Sequence, residues 1–181
     1  MRAHTRLFAQ PSRSSKELQD LEPITTIMFS PSACTLLTDQ LTVKGQSQGG
    51  LLFGTSVGET LHVAFASGQG HPWWTSPPPA YPHIDARYTL GWSEAIQATS
   101  KGQYDWVGNW LAYSDSRHRE LHEDLALLHL GLQDGLFDDR HALVIAGMES
   151  GYLYVHAYLY DDGPLQLVAN GLAGPLITNM P

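Results

Sequence analysis

The chain has 181 residues, of which 43% are hydrophobic, so it can bury the core of one globular domain. Its formal net charge of −8 at pH 7 argues against nucleic acid or an anionic membrane surface as the main partner. The single cysteine, Cys34, excludes an intramolecular disulfide and a cysteine-rich zinc site, and its apolar neighbours predict a buried structural thiol. We expect a cytoplasmic protein with neither a secretion signal nor a membrane-spanning segment.

Three parts of the chain differ in composition. Residues 1–22 are polar and rich in serine, which predicts a flexible lead-in. Residues 23–170 contain the apolar, periodic segments and are predicted to form a single domain. Residues 171–181 are predicted to form an irregular tail on the surface.

The first predicted elements of the domain are a strand, a helix and a hairpin. Residues 24–29 are rich in β-branched side chains, which is typical of a strand. Residues 30–41 begin with a serine and a proline, the residue types that start helices. Residues 51–56 and 61–65 are short apolar runs on either side of Val57-Gly58-Glu59, and they predict a β-hairpin.

Residues 68–82 have a different character, because their prolines cannot lie inside a helix or a central strand. They predict a long loop, and loops of this length are often functional. Exposed tryptophan and tyrosine side chains on stiff loops are typical interface anchors. The candidate partner-binding residues are therefore Trp73, Trp74 and Tyr81. In the alternative interpretation, both tryptophans fold back as a lid over the edge of the sheet.

The second half of the domain alternates predicted helices and strands. Residues 93–100 have a helical pattern, and residues 117–132 predict a longer helix that Ser116 or Asp115 can cap. The apolar face of the longer helix is predicted to consist of Leu121, Leu125, Leu128 and Leu132. Strands are predicted over residues 104–113, 141–146, 152–160 and 165–168. Together these elements predict an α+β fold in which helices pack on a sheet.

Two motifs in the chain carry a resemblance to a known family. The first is Gly49-Gly50-Leu51-Leu52-Phe53-Gly54, and the second is Gly108-Asn109-Trp110-Leu111-Ala112-Tyr113, followed after seven residues by Leu121-His122-Glu123-Asp124. With them the chain resembles a divergent prokaryotic member of the JAMM (MPN, JAB) family of isopeptidases. The motifs of that family read E-x-G-G-[IVL]-L-x-G and G-x-W-H-S-H-P, and S-x-x-D stands downstream of the second. The resemblance implies a mixed, curved β-sheet flanked by helices, with the layering of cytidine deaminases.

The departures from the family pattern fall on its functional positions. Leu111 and Tyr113 stand at the two histidine positions, Leu121 at the serine position and Ser47 at the position of the catalytic glutamate, while Asp124 matches the aspartate. The family's mechanism needs two imidazoles and a carboxylate on Zn²⁺, with the glutamate as general base. The resemblance therefore predicts no catalytic residue, no metal and no cofactor. We expect a packed former pocket in which Asp124 bonds the backbone or the Tyr113 hydroxyl.

Two functions follow from this resemblance as hypotheses. The first is a catalytically inactive MPN-like domain that binds proteins or acts as a scaffold. The implied partners are a ubiquitin-like protein, a ubiquitin-transfer enzyme or another MPN domain, paired as a dimer. The second is a metal-dependent isopeptidase with a relocated metal site. His118 and His122 have the i, i+4 spacing that chelates metals on a helix, although Asp124 would point away from that pair.

Overall fold

The structure is a computed structural model, and it describes residues 22–42, 48–69 and 86–172. In these ranges the chain forms eight strands: β1 (Thr26–Phe29), β2 (Gln48–Val57), β3 (Thr60–Ala66), β4 (Asp105–Ala112), β5 (Ala142–Glu149), β6 (Tyr152–Tyr160), β7 (Pro164–Gln166) and β8 (Val168–Asn170). It also forms three helices: α1 (Pro31–Leu41), α2 (Ala86–Ser100) and α3 (Leu121–Gln133). The fold is therefore of the α+β class. No helix in the described ranges is long and apolar enough to cross a membrane.

All eight strands join one mixed sheet in the order β7-β6-β5-β4-β2-β3-β1-β8. Strand β1 runs parallel to β3 and β8, and β4 runs parallel to β5, while the other neighbours are antiparallel. The edge strands β7 and β8 are separated along the chain by Leu167 alone. The N–H group of Leu167 donates to the carbonyl oxygen of Ala157 at 2.8 Å. The sheet therefore curves until its two edges nearly meet.

Alternation along the strands sends apolar side chains to two packed faces of the sheet. On one face, the side chains of Trp110, Val144 and Val155 join a core with Cys34 and Leu37 of α1. The thiol of Cys34 is buried, as the sequence predicts. The opposite face is covered twice, by α2 over β2 and the start of β4, and by α3 over β4, β5 and β6.

Helix α1 begins where the sequence predicts it. The hydroxyl oxygen of Ser30 accepts a hydrogen bond from the N–H group of Ala33 at 3.2 Å, and Pro31 occupies the first helical position. The same hydroxyl donates to the carbonyl oxygen of Ala64 at 2.6 Å, which ties the start of the helix to β3. The predicted hairpin is also present, since β2 and β3 pair antiparallel across a turn at Gly58.

The residues that match the family motifs have structural roles. The indole N–H of Trp110 donates to the carbonyl oxygen of Ser67 at 2.8 Å, and a side chain at Gly50 would overlap both groups. Gly108 has a φ of +145° and lies against Ala142, where any Cβ atom would overlap the backbone of β5. The two glycines therefore permit the close approach of neighbouring strands, and Trp110 connects β4 to the residue that follows β3.

The predicted start of α3 was wrong. The helix begins at Leu121 rather than near residue 117, and its N-cap is Glu120, so neither Asp115 nor Ser116 caps it. Ser116 has a φ of +55°, in the left-handed region, and its carbonyl oxygen accepts the N–H group of Met148 at 2.9 Å. The segment before the helix is therefore held against β5, and this contact competes with helical hydrogen bonding.

The start of α2 and the exposure of Leu121 also differ from the prediction. Helix α2 begins at Ala86, seven residues earlier than predicted. Leu121 was predicted to belong to the apolar face of α3, but it is 54% exposed, and Asp124 is the buried residue of the first helical turn. The described ranges do not include the predicted lead-in up to residue 21 or the tail from residue 173. They also do not include four candidate residues: Ser47, Trp73, Trp74 and Tyr81.

Candidate functional site

A fully buried carboxylate, that of Asp124, lies in the first turn of α3. Its Oδ1 accepts a hydrogen bond from the Tyr113 hydroxyl at 2.9 Å. Its Oδ2 accepts one from the Tyr158 hydroxyl and one from Nδ1 of His156, each at 3.0 Å. Burial of a carboxylate is costly unless donors satisfy it. Three side-chain donors and the positive end of the α3 dipole supply that compensation.

Strand geometry brings the three donors to Asp124. Tyr113 follows the last residue of β4 and lies two residues after Leu111, so both side chains point to the face that α3 covers. His156 and Tyr158 lie two residues apart in β6 and share that face. The carboxylate of Asp124 therefore joins α3 to the end of β4 and to β6.

Both tyrosines at this site are neutral hydrogen-bond donors. Burial raises the pKa of the Tyr113 hydroxyl far above its usual value, and the hydrogen bond and negative charge of Asp124 raise it further. Burial raises the pKa of Tyr158 in the same way, with the charge and the hydrogen bond of Asp124 adding to the effect. A protonated phenol is a poor metal ligand, so Tyr113 does not replace the histidine of the family motif chemically.

A hydrogen-bonded chain connects Asp124 to the protein surface. Because the carboxylate accepts from Nδ1 of His156, that nitrogen carries the ring proton in the neutral imidazole. The other nitrogen, Nε2, then accepts from the Tyr154 hydroxyl at 2.9 Å. Tyr154 is 39% exposed, so the chain Tyr154–His156–Asp124 runs from solvent to a buried carboxylate.

His118 packs against this chain from the segment that precedes α3. Its ring centroid lies 4.3 Å from that of His156 and 4.3 Å from that of Tyr154. Nε2 of His118 donates to the carbonyl oxygen of Tyr154 at 3.2 Å. The ring fits there because Gly147, in β5, has no side chain to fill the space. Burial lowers the pKa of His118, so the neutral imidazole is favoured.

The neutral ring of His118 leaves one nitrogen without a partner. Because Nε2 carries the proton, Nδ1 has a free lone pair, and it is buried with no hydrogen-bond partner within the described part of the chain. Ligand atoms of His118, Asp124 and His156 all lie within 4.8 Å of one another. The site therefore brings two half-buried imidazoles and one buried carboxylate together.

Among the other candidate residues, Leu111 is packed in the core, whereas Leu121 and His122 are exposed. Leu111 is buried in an apolar cluster with Leu128 of α3, and the half-buried ring of Tyr113 packs against that cluster. Leu121 is exposed. The alternative in which His118 and His122 share a helix face does not apply, because His118 precedes α3 and packs against His156 of β6. The His122 side chain is 74% exposed, and its Nδ1 lies 3.4 Å from a carboxylate oxygen of Glu120.

Sequence reasoning did not identify His156, Tyr158 or Tyr154 as site residues. Their positions depend on the packing of β6 beneath α3, which joins residues 32 to 34 positions apart in the chain. The available signal was the run Tyr154-x-His156-x-Tyr158, in which three polar rings share one face of a strand.

Comparison with known proteins shows a fold relationship only. No protein-family model and no curated protein matches the chain. The chain is similar in structure to protein DSY2949 from Desulfitobacterium hafniense, whose solution structure was determined by the Northeast Structural Genomics Consortium. The TM-score is 0.57 with 16% sequence identity, and the match covers 84% of this chain and 96% of that chain. At this identity the match concerns the fold and not the activity.

Proposed function

We propose that the protein is a catalytically inactive MPN/JAB-like domain that acts as a protein-binding or scaffold module. The observation that carries the proposal is the hydrogen bond from Tyr113 to Asp124. Tyr113 stands where the family motif has its second histidine, and Asp124 stands where the motif has its aspartate. The two side chains are hydrogen-bonded to each other at the motif positions that bind zinc in the active family members.

Two further observations support loss of the hydrolytic site. Leu111, at the first histidine position, has no lone pair and is buried against Leu128. The retained motif residues include Gly50, Gly108 and Trp110, which have roles in strand packing. The chain keeps these residues and Asp124 but lacks both histidines of the motif, and this combination supports a fold kept without the family's reaction.

The partner class comes from the family resemblance. A ubiquitin-like protein, a ubiquitin-transfer enzyme or a second MPN domain would bind this module, and the net charge of −8 disfavours nucleic acid. The aromatic loop residues Trp73, Trp74 and Tyr81 are the proposed anchors, because tryptophan and tyrosine dominate interface energetics.

A paired assay tests this proposal. The purified chain is incubated with an isopeptide-linked ubiquitin-like substrate, with and without added Zn²⁺. Binding of the same ubiquitin-like protein, of a ubiquitin-transfer enzyme and of a second MPN domain is titrated separately by calorimetry. We expect saturable binding and no cleavage. Cleavage that a chelator abolishes would contradict the inactive assignment, and absence of binding to all three partner classes would contradict the module assignment.

The second candidate function is a metal-dependent isopeptidase with a relocated metal. The observation that favours it is the group formed by His118, Asp124 and His156. The two candidates differ in one measurement: only the isopeptidase loses substrate turnover on His118→Ala. The inactive module should show no turnover before or after that substitution.

A further inference from the structure

We propose that His118, Asp124 and His156 form a binding site for a divalent first-row transition metal. The site shares Asp124 with the family motif, but its two histidines stand at positions other than those of the motif, so its ligand set differs from the one that the motif predicts to be lost. It does not depend on whether the chain binds a ubiquitin-like partner. The proposal departs from the expectation of no metal that the motif alone suggests.

His118 is already oriented as a metal ligand would be. Metal-bound histidines usually donate the N–H of their other ring nitrogen to a backbone carbonyl or a carboxylate, which fixes the tautomer. In this structure Nε2 of His118 already donates to the carbonyl oxygen of Tyr154. Its buried Nδ1 is left with a lone pair and no partner among the described residues. An unpaired buried nitrogen is costly, and a metal ion would satisfy it.

His156 can become a ligand without losing its hydrogen bond to the Tyr154 hydroxyl. In the present arrangement Nδ1 donates to Asp124 and Nε2 accepts from the Tyr154 hydroxyl. When Nδ1 binds the metal, the ring proton moves to Nε2 and donates to the Tyr154 oxygen, and the hydroxyl rotates to allow this. The number of protons on the ring does not change.

The carboxylate of Asp124 is the third ligand. Its Oδ1 keeps the hydrogen bond from Tyr113, and its Oδ2 keeps the one from Tyr158 and lies 3.0 Å from Nδ1 of His156. Hydrogen-bonded carboxylates of this kind are well oriented for metal binding. The ligand atoms lie within 4.8 Å of one another. Ligands of a tetrahedral zinc ion lie about 3.3 Å apart, so a contraction of up to roughly 1.5 Å completes the site.

The donor set defines the metal class. Two imidazoles with one carboxylate suit Zn²⁺, Fe²⁺, Co²⁺ or Ni²⁺, whereas Ca²⁺ and Mg²⁺ prefer oxygen ligands alone. Three protein ligands leave a fourth position for water or for a group of a partner protein. A bound ion would also fix the segment before α3 to β6, since His118 comes from the first and His156 from the second.

The test is metal titration of the intact chain after treatment with a chelator. Zn²⁺ affinity is measured by competition with a chromophoric indicator, and Co²⁺ is added to record the visible absorption of a tetrahedral site. We expect one Zn²⁺ per chain, and His118→Ala and His156→Ala should each weaken binding at least about tenfold. The matched control is His122→Ala, because His122 is an exposed histidine four residues from His118.

Two outcomes of the titration would overturn the proposal. Equal Zn²⁺ affinity in His118→Ala and in the unmodified chain would overturn the proposal, and so would equal loss in His122→Ala, which would indicate surface binding only. If His156→Ala does not fold, His118→Ala alone tests the proposal. This variant should fold, because no side chain among the described residues accepts a hydrogen bond from His118. The melting temperature supplies an independent measurement: Zn²⁺ should raise it in the unmodified chain and in His122→Ala, and not in His118→Ala. Neither readout involves the proposed protein partner.

Discussion

The Tyr113 hydroxyl donates to Oδ1 of Asp124 at 2.9 Å, and this bond joins the end of β4 to the first turn of α3. Oδ2 of the same carboxylate is bonded to His156 and Tyr158 of β6. One buried carboxylate therefore connects the helix to the end of β4 and to β6, which lies more than thirty positions further along the chain. Tyr113 and Asp124, two of the positions aligned with the family's zinc ligands, are joined in a side-chain network.

The first prediction concerns the stability that Tyr113 contributes. Tyr113→Ala removes a half-buried ring and one of three donors to Asp124, so we expect a loss of roughly 2–4 kcal/mol in the free energy of unfolding. Tyr113→Phe keeps the ring and should cost about 1–2 kcal/mol, because one hydrogen bond to a buried carboxylate is lost. Urea denaturation measures both values. A loss below about 0.5 kcal/mol in Tyr113→Ala would mean that the network does not stabilise the fold.

The parts of the fold that the sequence predicts are local. The cap of α1 at Ser30, the β2–β3 hairpin around Gly58 and the strand that ends in Trp110 follow from residue types and spacing over a few positions. Helix α3 shows the limit of such reasoning. Residues 117–120 have a helical pattern, yet the contact between Ser116 and Met148 removes them from the helix.

The candidate site could be predicted only in part for the same reason. The bond between Tyr113 and Asp124 joins residues eleven positions apart, and it was one of two alternatives that the sequence suggested. The approach of His156 and His118 depends on where β6 lies in an eight-stranded sheet and on the path of a loop without regular structure. Neither property is encoded in a short motif, because both depend on contacts between residues more than thirty positions apart in the chain.

The second prediction concerns pH and the turn before β5. Burial acts to raise the pKa of Asp138, but the hydrogen bond and charge of His141 and the N–H groups of Arg140 and His141 outweigh it, and the pKa is held below its usual value. A depressed folded pKa means that the contribution to stability is complete above the unfolded pKa of about 4. It is lost as the pH falls through the folded pKa.

Asp138→Asn should therefore destabilise the chain by about 1 kcal/mol at pH 7, a value reduced for the partial exposure of the carboxylate. The difference from the unmodified chain should shrink as the pH falls below about 4, and thermal melts between acid and neutral pH measure it. The neighbouring Asp139→Asn is the matched control, because that side chain is 55% exposed. A difference that is constant over the whole pH range would contradict the assigned role of Asp138.

The third prediction tests the family resemblance by restoring its ligands. Leu111→His together with Tyr113→His, in a His118→Ala background, would place two imidazoles beside Asp124 at the spacing of the motif. We expect this variant to bind Zn²⁺ more tightly than the His118→Ala parent, as the ligand set would again be two imidazoles and a carboxylate. Indicator competition measures affinity, and circular dichroism reports folding. A folded variant with the affinity of its parent would mean that these positions do not converge as they do in the family.

The last prediction concerns the loop that we propose as the partner-binding surface. Trp73 and Trp74 stand among prolines in residues 68–82, and two adjacent indoles can bury a large apolar area in a partner at low entropic cost. If the loop provides the anchors, Trp73→Ala with Trp74→Ala should weaken partner binding about tenfold or more, while the melting temperature stays nearly unchanged. The contrasting control is Trp92→Ala in α2, because Trp92 stacks with Phe53 at a centroid distance of 6.2 Å and its loss should lower the melting temperature. Calorimetric binding and thermal melts are recorded on the same preparations. If the double variant unfolds as Trp92→Ala does, the loop tryptophans belong to the core, and the partner must bind elsewhere on the sheet or its helices.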